Sequence, residues 1–225
     1  MTDSEFNKSE LVELGMPASR ISVVPPFHQV EELLKFSRSN EEESNDILVV
    51  GRIAPNKGLG LLLEAFADVA ERVQSNLHIV GRSDPRLLSY RRELDAIIDQ
   101  RRIANRVIFH GSVSQDVLAT LYSRCALFWT CSQHEGFCVP VVEAMAFGKP
   151  IVATALTALP ETCGEGAILA NTREDMVAAV LGLLNDERKR CTLGELARRR
   201  YEAMYSPQRI GDRFSAALNS IADVP

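Results

Sequence analysis

Between residues 47 and 169 the chain alternates short, mostly apolar runs with longer stretches of helical apolar spacing. The runs fall at 47–50, 77–80, 107–109, 126–129, 151–153 and 167–169. None alternates apolar with polar residues, so each reads as a strand of a parallel sheet buried on both faces. The stretches at 59–73, 87–98, 117–122 and 138–147 carry helical spacing and supply the crossovers. This order predicts an α/β fold: a Rossmann-like, doubly wound parallel sheet with flanking helices. Residues 175–184, 188–204 and 207–221 also read as helices, giving a helical C-terminus packed outside the sheet. Upstream, residues 1–20 read as a helix or loop, and 21–24 as a short strand stopped by Pro25 and Pro26. The polar stretch 37–46, SRSNEEESND, reads as an exposed loop.

Charge narrows the function classes. The 225 residues carry 25 Lys and Arg against 30 Asp and Glu, a formal net charge of −5. A general nucleic-acid grip needs a basic face, so that class is set aside. The clusters Arg188-Lys189-Arg190 and Arg198-Arg199-Arg200 read as solvated helix faces. Contact with acidic lipid or with a partner domain is the other use for such clusters. Five cysteines without a CxxC pair call for neither zinc nor disulfides. No apolar stretch of about 20 residues occurs, so no signal peptide or spanning helix is expected. A reducing cytoplasmic setting follows, with peripheral contact at the inner face of the membrane as an option.

Ligands of open α/β sheets bind beyond the carboxyl ends of the strands. There the chain offers Gly51-Arg52, Gly81-Arg82, His110-Gly111 and the loop 130–137. Arg52 follows a strand directly and Lys57 stands where the next helix begins. A guanidinium fork and a compact ammonium beside one crevice suit a diphosphate. Spacing alone leaves open that both cations are merely exposed. Gly136 turns the chain into a helix near Cys138, whose free amides would receive phosphate oxygens. Glu135 precedes that helix and Glu143 lies within it, eight residues later, about 12 Å of rise if helical throughout. Two such carboxylates suit the hydroxyl groups at the two ends of an extended ligand. Glu143 sits amid Val141, Val142, Ala144 and Met145, and either has a partner there or faces solvent. His110 and His134 are read as structural or pocket-lining groups, and Cys138 lacks the base and orienter of a nucleophile.

Four stretches together resemble a known family: VGRIAPNKGLGLLLEAF at 50–66, LHIVGRS at 77–83, the segment 107–154 with its Glu-x7-Glu spacing, and ALPETCGEGAIL at 158–169. The likeness is to the C-terminal, donor-binding domain of GT-B glycosyltransferases of the family 4, group 1 type. That retaining family includes sucrose synthases, sucrose-phosphate synthases and bacterial mannosyltransferases. The resemblance spans roughly 47–205. It implies that Gly51, Arg52 and Lys57 hold the donor diphosphate and that Glu135 contacts hydroxyls of the transferred sugar. It implies that Glu143 bonds the ribose hydroxyls. Phe137, Cys138 and Val139 would present backbone groups to sugar and phosphate. Arg82 and residues 112–113 would lie near the base or diphosphate.

The sequence also departs from the family's pattern. Cys138 stands where relatives have Gly after the EGF triplet, and Cys131 where they have Pro. Pro25-Pro26-Phe27-His28 replaces a Pro-Asn-Gly turn. Cys138 adds a side chain where the sugar would approach. Residues 1–46 read as the tail of an N-terminal acceptor-binding domain plus linker, 47–205 as the nucleotide-sugar-binding domain, and 206–225 as a helix returning to that partner domain. The implied enzyme is a retaining hexosyltransferase using a UDP-, GDP- or ADP-linked sugar. Its acceptor would be a glycan, lipid or small molecule, as in polysaccharide biosynthesis. No DxD site appears, so no divalent cation is expected. The chain alone is expected to be inactive, since half a cleft cannot orient two substrates. The rival readings are a non-catalytic nucleotide-sugar-binding or regulatory module, and an epimerase.

Overall fold

A computed structural model describes residues 1–37 and 43–222 of the chain. Six strands form one sheet: β1 (Ile47–Val50), β2 (Leu77–Val80), β3 (Val107–Gly111), β4 (Leu127–Thr130), β5 (Ile151–Ala153) and β6 (Ala167–Leu169). Their spatial order is β3-β2-β1-β4-β5-β6, and every pairing is parallel. This is the expected α/β, doubly wound sheet with flanking helices and a helical C-terminus.

The runs lack polar alternation because both faces of the sheet are covered. Ile47, Val49, Leu77 and Ile79 enter one core with Leu62, Phe66 and other residues of α3 (Leu59–Ala70), with α4 (Leu88–Arg101) and with α8 (Arg173–Leu184). Their neighbours Leu48 and Val80 enter the other core. That core holds Tyr122 of α5 (Gln115–Arg124), Val142 and Met145 of α6 (Val139–Ala146), and Ala197 of α9 (Glu187–Arg200). Strand residues alternate between faces, so only a continuous apolar run satisfies both cores. Each fully buried Leu, Ile or Phe contributes about 1.5–3 kcal/mol. Phe66→Ala would cost about 3–5 kcal/mol at the centre of the first core.

Several elements differ from the pattern reading. Residues 21–24 do not form a strand. Val23 makes one isolated bridge to Thr2, because Pro25 and Pro26 follow and supply no amide to extend it. Two short helical pieces escape helical periodicity, α2 (Val30–Leu34) and α7 (Leu159–Cys163), while α1 (Glu5–Glu13) falls within 1–20, read as a helix or loop. The helix read over 188–204 is α9 followed by a π turn, Tyr201–Tyr205, ahead of α10 (Pro207–Ala222). The basic clusters are only partly solvated. Arg190 donates to Leu183 O at 2.9 Å and Leu184 O at 3.1 Å, closing the end of α8. Arg200 donates to Thr162 O at 2.9 Å, and Arg198 to the carbonyl of Ala146. Residues 38–42 of the expected loop and 223–225 of the expected C-terminal helix lie outside the described residues.

Candidate functional site

The strand order reverses between β1 and β4, which are paired through Ile47–Leu127 and Leu48–Phe128. The crevice of such a sheet opens at the carboxyl ends of these two strands. The segments leaving them are Gly51–Gly58 and Cys131–Cys138, the two stretches singled out from the sequence.

Beyond β1, Ile53 pairs with Ser83, and its amide donates to Arg82 O at 3.1 Å. Arg52 and Arg82 therefore stand on adjoining loops, both exposed. Pro55 then starts a 3-10 turn that ends at Lys57, and Gly58 follows with φ +63°. A Cβ on Gly58 would lie 2.0 Å from Cys131 O, so only glycine lets the two loops touch. Gly81 is held likewise: a Cβ there would lie 1.7 Å from Gly51 O.

The loop after β4 is fastened along its length. Gln133 donates its amide to Asn56 O at 2.8 Å, and Thr154 Oγ1 donates to Ser132 O at 2.6 Å. The Glu135 amide donates to Thr157 Oγ1 at 3.0 Å, and Thr162 Oγ1 donates to Phe137 O at 2.7 Å. Cys138 then enters α6 in a left-handed conformation, φ +77°. Pro140 occupies the first turn, and no side chain caps this end. The uncapped amides give a partial positive charge aimed outward along the helix axis. Lys57 closes an ion pair with Glu135, joining the two stretches directly. Lys57, Glu135 and the start of α6 at Cys138 are thus one cluster, held by backbone contacts.

Glu143 is not on the solvated side of α6. It is largely buried, and Tyr122 donates its hydroxyl proton to Glu143 Oε2 at 2.8 Å. Burial pushes the Glu143 carboxyl above its ordinary range, and the Tyr122 bond pulls in the opposite direction. Burial, then Glu135, pushes the Cys138 thiol well up, against the opposing pull of Lys57. A protonated buried thiol is a poor nucleophile, in keeping with the sequence reading. The ring of Phe137 is buried edge-on to Tyr205, so only its backbone serves the loop. Cys125, Cys131 and Cys163 are also free and buried, and Cys191 is exposed.

Two arrangements were not legible beforehand. His110 does not serve the crevice loops: its Nε2 lies 2.8 Å from His78 Nδ1, and His78 Nε2 lies 3.3 Å from Asp46 Oδ2. His78 reads as one residue of an apolar run, with nothing to mark it. Asp46 and His78 line a cavity of about 140 Å³ at the amino ends of the strands, opposite the crevice. The second arrangement involves Glu161 of α7, whose two carboxylate oxygens accept the amides of Glu5 at 2.9 Å and Phe6 at 3.1 Å. This sets the first turn of α1 against the loop 134–136. Phe6 meets His134 edge-on, and Asn7 and Asp3 crowd Gly136. Among the described residues, no group of three or more His, Cys, Asp or Glu side chains is placed to hold a metal. None of the described helices is long and apolar enough to cross a membrane.

Known proteins share this architecture. The chain superposes with a TM-score of 0.86 on the structure of Anabaena HepE in complex with UDP and glucose, at 21% identity over 97% of this chain and 62% of that one. It superposes with a TM-score of 0.79 on sucrose-phosphate synthase from Thermosynechococcus elongatus, at 24% identity over 98% of this chain and 57% of that one. In sequence it is 28% identical to the lipopolysaccharide 1,2-N-acetylglucosaminetransferase of Salmonella typhimurium, over 98% of this chain and 61% of the relative. It is 31% identical to the MMP alpha-(1->4)-mannosyltransferase of Mycolicibacterium hassiacum, over 93% of this chain and 51% of the relative. The chain therefore spans a little over half the length of these curated relatives. A family model described as glycosyl transferases group 1 matches residues 30–200, which include both crevice loops and α6 with Glu143. The chain belongs to the glycosyl transferases group 1 family.

Proposed function

We propose that the chain is the donor-binding half of a retaining glycosyltransferase and binds a nucleoside diphosphate sugar at the carboxyl ends of β1 and β4. The observation that carries this reading is the convergence of Lys57, Glu135 and the uncapped start of α6 at the switch point of the sheet. The cations and the helix end favour a diphosphate, and the carboxylates favour hydroxyl groups. Arg52 and Arg82 add charge at the rim. Glu143 takes the ribose and Glu135 the transferred sugar. UDP is the first base to try, because HepE is described with UDP, UDP-glucose and glucose.

In the transfer step an acceptor hydroxyl attacks the anomeric carbon on the face the diphosphate leaves, and its proton passes to the departing phosphate oxygen. The bond from that carbon to the diphosphate oxygen breaks, and its electron pair leaves with the phosphate. Lys57, Arg52 and the amides at 138–139 oppose the charge growing on that oxygen. The chain covers 61% and 51% of two of its curated relatives. The reading therefore includes an acceptor-binding domain, preceding residue 1 or on a separate chain, to complete the cleft. Without it the chain binds donor weakly and transfers little. The acceptor would be a glycan, lipid or small molecule in the cytoplasm or at the inner membrane face.

Titration calorimetry of the chain with UDP-, GDP- and ADP-sugars tests the proposal. Heat from one nucleotide class, abolished in Lys57→Ala, is the expected result. Equal binding by wild type and Lys57→Ala would remove the diphosphate from this site.

A further inference from the structure

Tyr122, at the end of α5, is a fully buried ionisable group that the proposed function leaves without a task. Its ring stacks on Phe147, with centroids 5.2 Å apart and planes at 19°, and on Phe128, at 6.1 Å and 27°. Its hydroxyl lies 2.8 Å from Glu143 Oε2 and 3.2 Å from Pro140 O. The single proton goes to the closer, charged acceptor. Burying a carboxylate beside a tyrosine among apolar residues costs free energy, and an apolar pair of the same shape would be as stable or more so. Net stability therefore gives little account of the pair.

We infer that Tyr122 is a positioning residue: it occupies Oε2 of Glu143 and fixes the carboxylate so that Oε1 is presented to the paired hydroxyls of the donor ribose. This rests on the assignment of Glu143 to the ribose. Tyr122 is fully buried against two aromatic rings while Glu143 is less than fully buried, so the tyrosine sets the carboxylate rather than following it. Protonation states agree with these roles. Burial, then Glu143, pushes the Tyr122 hydroxyl well above its ordinary range, so it stays a donor. Cys138 and Cys125, the other titratable groups acting on Tyr122, are pushed up by burial and stay neutral thiols. Glu143 alone is left to titrate. The Tyr122 bond favours the ionised form that accepts hydroxyl protons.

The test is calorimetry of the chain with UDP, GDP and ADP at millimolar concentration, each beside its 2′-deoxy form, from pH 5 to 8. Wild type should prefer the ribonucleotide, and Glu143→Ala should lose that preference. Tyr122→Phe should lower the preference by about tenfold, as for one hydrogen bond to a charged group, and move the pH of half-maximal ribonucleotide affinity upward. Glu143→Asp, which keeps a carboxylate but withdraws it from Tyr122, should lose the preference even where Tyr122→Phe fails to fold. Wild-type preference and pH midpoint in Tyr122→Phe, or wild-type preference in Glu143→Asp, overturn the positioning role. Wild-type preference in Glu143→Ala, no preference in wild type, or no binding of any nucleotide overturns the ribose assignment itself, and the inference with it.

Discussion

Lys57, at the end of the turn after β1, forms an ion pair with Glu135, 78 residues further along the chain in the loop after β4. The two side chains are 18% and 11% exposed, so water screens the pair only partly. A diphosphate arriving at Lys57 has to compete with this carboxylate. A sugar attached to the diphosphate gives Glu135 hydroxyl groups to accept in exchange. Glu135→Gln should therefore tighten binding of the free nucleoside diphosphate by about three- to tenfold, the worth of removing one partly screened competitor. The same variant should slow transfer from the sugar nucleotide. Lys57→Ala should raise the transfer barrier in the complete enzyme by about 2–4 kcal/mol, as for loss of one transition-state donor. Calorimetry and initial rates measure both. If Glu135→Gln weakened free-nucleotide binding, the competition would not exist.

The approach of the two loops rests on one glycine. Gly58→Ala places a Cβ in a left-handed conformation and 2.0 Å from Cys131 O. Conformational strain of about 1–2 kcal/mol and overpacking of about 1–3 kcal/mol both apply. Gly111→Ala is the control, because φ is +65° but nothing lies within 4 Å. It should lose only the strain. Thermal unfolding should place Gly58→Ala below Gly111→Ala by about 2–12 °C, at about 2–4 °C per kcal/mol for a chain of this size. Equal melting temperatures would show that the loops can separate at no cost.

Much of this molecule is legible in its residues, and the boundary has physical causes. Ile47–Val50 and Leu77–Val80 announce a parallel sheet because both faces are covered, which leaves no polar alternation. Arg52, Lys57 and Glu135 stand out in the sequence because they fall in the segments that leave β1 and β4. Side-chain partnership is another matter. Whether Glu143 faced solvent or a partner depended on Tyr122, 21 positions away on another helix. His78 is one polar letter within an apolar run, and its line to Asp46 and His110 exists only once β1, β2 and β3 lie side by side. The helices α2 and α7 have five residues each, too short for periodicity to show and stable only through packing.

Glu161 makes a prediction about residues far from it in sequence. Its carboxylate accepts two first-turn amides of α1, where a negative charge is favoured by the helix dipole as well. Glu161→Ala leaves those amides without this partner and frees the α1 turn that crowds Gly136. Amide hydrogen exchange at Glu5 and Phe6 should speed by about tenfold or more, the scale of a charged hydrogen bond. Leu48 and Phe128, in the sheet, should keep their protection. Unchanged exchange at Glu5 and Phe6 would mean that Ser4, whose Oγ caps the same turn through the Asn7 amide, holds α1 alone.

The Asp46 end of the histidine line predicts an acid-limb effect with a definite sign. Burial raises the Asp46 carboxyl, but the Asn76 amide, Ser44 and His78 outweigh it, and the net shift is below the ordinary 3.8. A carboxylate with a lowered folded-state pKa binds fewer protons folded than unfolded. Its contribution is therefore fully present above about pH 4 and is lost as the pH falls through the lowered value. Asp46→Asn keeps an acceptor for Asn76 but cannot ionise. It should be less stable than wild type at pH 7, and the gap should close as the pH falls from 4 towards 2. Denaturant unfolding at pH 7, 4 and 3 measures this. A gap that stays constant across those pH values would mean that the shape of Asp46, and not its charge, holds β1 to β2.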